Sequence, residues 1–247
     1  MAQRPEDREL AEVLATLTRI DDSGARSQRV PELLRLTARS ARAAGARAVA
    51  SGRWAADLVT EMAGHLPVRD VATLRAHHDG LSGDALATRL IDRAALATGA
   101  VGALVGGLAT VEELTPAAWP TLPVELVAET LLVVAIEMKL VAELHVAAGR
   151  PISGSFTDQA VAITAAWAER RGIEPGVLLQ GGAADLLGRQ ARLRLSRTLQ
   201  RRLVRRGGRS VASFAPLLAG AAAGGILNRR ATRAVGEQVN ASLRGRR

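Results

Sequence analysis

The side chains suited to chemistry are few, and they do not gather into a known arrangement. His77-His78-Asp79 is the densest set of potential metal ligands. Adjacent histidines do not share a helical face, however, and a metal needs further ligands converging from elsewhere in the chain. Within the turn-rich HHDGLSGD of residues 77–84, the triplet reads as a surface turn. His65 and His145 stand alone, one at a helix end and one within a helix. Ser153-Gly154-Ser155 lacks the flanking glycine spacing of a nucleophile elbow, and helix capping accounts for Ser155-x-x-Asp158. The glycine-rich segments lack the Lys-Ser/Thr of a phosphate loop. Glu112-Glu113 and the Glu125/Glu129 pair could serve as acid–base groups, yet acids at a helix start are explained by the helix dipole alone. The chain has no cysteine, which excludes disulfides, thiolate zinc sites, iron–sulfur clusters and cysteine nucleophiles. The expectation is of no catalytic residue, no metal and no cofactor, so enzyme activity is disfavoured.

The other chemically loaded stretch is a run of arginines. Arg189, Arg192, Arg194, Arg197, Arg201, Arg202, Arg205, Arg206 and Arg209 occur with no acid among them, and Leu193, Leu195, Leu199 and Leu203 are interleaved. On a helical wheel the arginines spread round most of the circumference, so this is not a clean amphipathic lipid-surface helix. Three readings compete: a solvated face, a nucleic-acid contact, and a contact with anionic lipid through Arg201, Arg202, Arg205, Arg206 and Arg209. The apolar stretch that follows favours lipid. With 2% aromatic residues and no Tyr, the chain lacks the stacking platforms of single-strand binders.

Behind these residues stands a frame of small ones. From Ala94 to Val111 the chain is uncharged, and small residues recur at Ala95, Gly99, Gly102, Gly106 and Ala109. That spacing draws a helical seam of hydrogens and methyls. Each glycine costs about 1 kcal/mol relative to Ala within a helix, so a seam rich in them implies close approach by another backbone. Ser210 to Asn228, with Gly220 and Gly224, is the expected partner. Both stretches only just approach the roughly 20 apolar residues that a bilayer core requires, and Gly and Ala contribute little to insertion. Close packing of two helices is the preferred reading over a membrane-spanning hairpin.

The remaining periodicities are helical. Hydrophobic content is 48%, mostly Ala, Leu and Val, with 24 Gly beside it, which suits packed helices better than sheets. Helices are expected from Pro5, from Pro31 towards Gly64 with Gly45 and Gly52 as candidate interruptions, from Asp84 into the glycine-rich stretch, from Val124 to Ala148, after Ser155, and through the tail. DDSGARS at residues 21–27 should break the first of these. The Val124 helix is apolar all round in its middle, with Glu125, Glu129, Lys139 and Glu143 in one narrow arc. It reads as a central buried helix whose ends reach water. Trp54, Trp119 and Trp167 are candidate packing anchors, and Trp119, among prolines, is also a candidate lipid contact. The fold expected is all-α, a single helical domain with two Gly/Ala-rich closely packed apolar helices. Residues 1–83 would form an N-terminal helical layer and residues 84–247 a helical core with basic C-terminal helices. The charged N-terminus has no apolar signal region, so a cytoplasmic location is expected.

The order of segments from Leu86 to Gly149 resembles the EcsC family: a glycine-rich helix, a proline-bearing turn, an acidic position and a long helix closing on Gly. The stretch from Ser213 to Arg244 is similar to that family's C-terminal signature, at Asn228, Arg229, Val235 and Gly236. Glu125 stands where the family shows Asp, and Ala148 where an aromatic is usual. The resemblance implies an all-helical bacterial protein, named after a gene accompanying an ABC transporter and linked to the membrane. It implies no particular reaction. The expected function is therefore a non-enzymatic, membrane-proximal accessory or scaffold role in a bacterial cytoplasm, peripheral on the inner face of the cell membrane. An anionic membrane surface or a membrane protein would be the partner. The alternatives are a hydrolase of unknown substrate and an Arg-mediated nucleic-acid-binding protein.

Overall fold

A computed structural model describes residues 4–50, 53–108, 124–170 and 217–245. Within them the chain forms helices and no strands, as an Ala/Leu-rich composition dictates. Pro5 occupies the first turn of α1 (Pro5–Leu17), where its missing N–H is not needed, and Glu6 and Asp7 face the positive helix end. The chain does break after α1, but the expected breaker segment itself folds into α2 (Ser23–Gln28), because Asp22 caps it by accepting from the Ala25 N–H at 2.6 Å. Arg26 of α2 is buried and donates to the carbonyls of Leu17 and Ile20 just beyond the end of α1. Burial lowers its pKa below the usual arginine value, while Asp21 and Asp22 act against that.

The long helix expected from Pro31 is three helices. α3 (Val30–Ala44) stops at Gly45, whose φ of +83° no other residue adopts cheaply. α4 (Ala46–Ala50) and α5 (Arg53–His65) follow. A buried chain of polar groups ties this layer together: Trp54 donates to Ser40 at 2.8 Å, Ser40 donates to Asp7, and Arg4 pairs with Asp7. After α6 (Val71–His77) the chain reverses through Asp79 and Gly80, both at positive φ, into α7 (Gly83–Leu108).

α8 (Val124–Ala147) is the axis of the molecule, buried at every position from Val127 to Leu144. It ends in a left-handed Gly149, with Gly149 N–H bonded to Val146 and Arg150 N–H to His145, the paired bonds of a Schellman stop. α9 (Phe156–Arg170) begins with the expected cap: Ser155 N–H and Oγ–H both meet the Asp158 carboxylate. α10 (Leu217–Arg244) carries the second small-residue stretch and continues unbroken into the tail.

α1 packs on α3 and α5, all three pack on α8, α9 lies against α5 and α8, and α7 and α10 cover the rest. Buried side chains from all of these form one cluster, from Leu10, Leu33 and Met62 through Leu131, Val134 and Val141 to Val235 and Val239. The most extensive helix–helix contact is between α7 and α10. They run antiparallel, since Asp84 pairs with Arg244, Asp92 with Arg233, and Thr98 with Thr232. No helix among the described residues is long and apolar enough to cross a membrane.

Candidate functional site

The chemically loaded part of the molecule is the polar side of α8, and here one expectation is overturned. Its charged residues were read as helix ends reaching water. Instead Glu129, Glu137, Lys139 and Glu143 are all at least nine-tenths buried. An unpaired charge would be prohibitively costly there, so each carboxylate must be matched. The matching partners come from three other elements.

At the C-terminal half of α8, Glu143 accepts two bonds from the Arg69 guanidinium, at 2.8 and 2.9 Å, and a third from Lys139 Nζ at 2.8 Å. Arg69 sits in the short connection before α6, held there by Asp70, which caps α6 through the Thr73 N–H. The fork-to-fork geometry is the strongest form of such a pair. Burial works against the Glu143 carboxylate, but the bonds from Arg69 and the charges of Lys139 and Arg69 outweigh it. The pKa falls below the ordinary glutamate value. Its bond to Glu143 raises the Arg69 pKa. Burial lowers that of Lys139, against the pull of Glu143. Lys139 is the one lysine in a chain whose other basic residues are arginines.

In the middle of α8, Glu137 is fully buried and accepts from Trp167 Nε1 of α9 at 3.0 Å and from the Thr232 hydroxyl of α10 at 3.0 Å. Thr232 spends its single hydrogen on Glu137, so it accepts from Thr98 of α7, 2.9 Å away. One carboxylate thus connects four helices. Just over two turns further towards the N-terminus, Glu129 accepts from Asn228 Nδ2 of α10 at 2.8 Å.

The residues singled out from sequence fall in several places. Gly99 lies at the α7–α10 contact: a Cβ there would stand 3.3 Å from the Gly225 carbonyl oxygen and 3.4 Å from Arg229 Cβ. Gly102 is buried in α7; Gly106 is also in α7, and Gly220 and Gly224 are in α10. A glycine tighter than Gly99 is one the seam omitted. A Cβ on Gly236 would meet Ile91 Cγ1 at 2.6 Å and Leu140 Cδ2 at 3.2 Å. Of the residues carrying the family resemblance, Asn228, Val235 and Gly236 are buried at packing points of α10, while Arg229 is exposed. Arg201, Arg202, Arg205, Arg206, Arg209 and Trp119 lie outside the described residues.

Among the histidines, His65 pairs with Glu61, His145 Nδ1 lies 2.8 Å from the Val141 carbonyl, and His77 is exposed. The surface-turn reading of the His pair is half right, because His78 is buried. Among the described residues no group of three or more His, Asp or Glu side chains is arranged to hold a metal. A groove of roughly 270 Å³ lies between α7 and α10, lined by Thr88, Asp92, Arg233, Glu237, Asn240 and Arg244 among others. It is well removed from the α8 carboxylates in chemistry: Asp92 is paired with Arg233 at 2.5 Å, and Arg244 with Asp84 at 2.9 Å.

Sequence reasoning missed Glu137, Arg69 and Thr232 as an organised set. The one available signal was an isolated acid, Glu137, inside the apolar run Leu131 to Ile136 and Met138. Against family models, curated proteins and solved structures alike, the chain gives no match.

Proposed function

We propose that this chain is a non-enzymatic scaffold or accessory protein of the EcsC-like type that works against an anionic membrane surface in a bacterial cytoplasm. The observation that carries the reading is the set of exposed large apolar and basic side chains on the paired helices α7 and α10. Leu96, Ile226 and Leu227 are each more than half exposed, and Arg229 and Arg230 follow directly, also exposed. On a helix, Ile226 neighbours Arg229 and Arg230, and Leu227 neighbours Arg230. Large apolar side chains next to guanidinium groups suit a headgroup boundary, where the apolar part enters the acyl edge and the cation stays at the phosphates. Each basic residue near such a surface contributes about 1 kcal/mol.

The buried groups support the same reading from the other side. Glu129, Glu137 and Glu143 are engaged in bonds between helices, which makes them struts of a rigid body. A stiff helical body with a basic, partly apolar face is what a peripheral scaffold requires. The arginine run at 201–209 would add to the positive charge the chain can offer an anionic surface. Flotation with vesicles tests this. The protein should rise with anionic vesicles, less with neutral ones, and less at high salt. Replacing Arg201, Arg202, Arg205 and Arg206 by Gln should weaken it further. Equal failure to rise with both vesicle types at low salt would overturn the proposal.

A further inference from the structure

We propose that His78 makes the α6–α7 turn an acid-sensitive latch, which holds α6 and Arg69 against α8 while the imidazole is neutral and lets go when it gains a proton. His78 is 3% exposed, and neither ring nitrogen has a hydrogen-bonding partner among the described residues. It differs in this from the other three histidines, which are bonded or exposed. A buried neutral imidazole without partners is tolerable; a buried imidazolium in the same place is not.

The charges facing His78 come from every side. Arg69 precedes α6, Arg93 projects from α7, Glu143 from α8, and Asp21 from the α1–α2 connection. The two carboxylates are already engaged, Glu143 with Arg69 and Lys139, and Asp21 at 3.8 Å from Arg93 in a mostly exposed pair. An added proton would therefore meet the charges of two cations and no free anion. Burial, and then the charges of Arg69 and Arg93, lower the pKa of His78 below its ordinary 6.5. The unfolded turn takes up a proton near 6.5 and the folded one only at lower pH. Stability is thus complete above pH 6.5 and is lost as pH falls from there towards the folded value.

The place of His78 in the chain makes that loss a local event. Its N–H bonds the Arg75 carbonyl, its carbonyl accepts from Leu81, and Gly80 N–H also returns to Arg75. The reversal into α7 is built round this one residue. Expelling the ring would undo these bonds and release α6 together with Asp70, the residue that positions Arg69.

Two measurements test the latch. In the wild-type protein, the His78 ring resonance followed by NMR should titrate below 6.5, and amides of residues 71–83 should lose protection between pH 7.5 and 5.5. Below the unfolded value their opening should grow by about tenfold per pH unit. His78→Leu should keep its melting temperature across that range, whereas His77→Asn should fall as the wild type does. A His78 ring titrating at or above 6.5 would overturn the proposal without any variant. So would a His78→Leu protein that loses as much melting temperature between pH 7.5 and 5.5 as the wild type.

Discussion

Two contacts fix the long helices of this protein, and they use opposite chemistry. Where α6 meets α8, two cations close on one buried carboxylate: Arg69 and Lys139 on Glu143. Where α7 meets α10, the decisive feature is the side chain that is missing, at Gly99 against the Gly225 carbonyl and at Gly236 against Ile91 and Leu140. The ionic contact gains from long side chains that reach across a gap; its strength depends on every charge being matched. At the glycines the α7–α10 contact gains from dispersion between closely packed surfaces, and at those positions it depends on volume. One should therefore fail by losing a charge and the other by gaining a methyl group. Only the first should respond to pH.

The largest effect is expected where a charge is stranded. Glu143→Gln leaves Arg69 and Lys139 facing each other in the interior, a loss of the kind that costs about 3–5 kcal/mol. Urea unfolding would measure it, and adding Lys139→Met should recover part of the loss by removing one stranded cation. Additivity of the two changes would mean that the cluster is not a unit. Next comes volume. Gly236→Leu and Gly102→Leu should each destabilise by about 1–3 kcal/mol or more, and neither loss should change between pH 7 and pH 4. A Gly236→Leu protein melting at the wild-type temperature would remove the glycine half of the comparison. Thr232→Val deletes the donor to Glu137 and should cost about 1–3 kcal/mol. Smallest is the exposed pair across the α7–α10 groove. Arg233→Gln should change stability by about 0–1 kcal/mol, since both side chains are 41% exposed.

Acid separates the contacts a second way. The folded pKa of Glu143 is below 4.5, so the stability it contributes is complete above that value and disappears as pH falls below it. Wild-type protein should therefore show a loss beginning below pH 4.5 that Glu143→Gln lacks. The glycine contact has no such window.

Much of this architecture was legible in the chain because its causes are local. Pro5, Asp158 with Ser155, and Gly149 act within a few residues of themselves, and their caps and stops fall where expected. The α7–α10 pairing was legible for a different reason: glycines at helical spacing have few uses except close approach. The splitting of the Pro31 helix was legible in part: Gly45 was a candidate interruption and the break falls there, but a glycine inside an Ala/Arg run is also compatible with continuation until φ turns positive. α2 was hidden by Asp22, which is equally at home in a turn and at a cap. The carboxylates of α8 were misread because their partners are remote. Glu137 is 30 residues from Trp167 and 95 from Thr232, and Glu143 is 74 from Arg69. A periodicity that marks an acid as a solvent-facing residue carries no information about a cation that far along the chain. Likewise, nothing local decides which of two adjacent histidines turns inward.

Membrane binding through α7 and α10 rests on their exposed apolar side chains. Leu96→Ser, Ile226→Ser and Leu227→Ser each change a side chain that is more than half exposed, so the triple variant should melt within a few degrees of the wild type, at about 0.5 kcal/mol or less per site. Flotation of both proteins with anionic vesicles at low salt is the measurement. The variant should stay with the soluble fraction, or rise markedly less than the wild type, while remaining folded. A folded variant that rises with the vesicles as fully as the wild type would show that this face is not what meets lipid, and would contradict the proposal of a membrane-surface scaffold built on the α7–α10 pair.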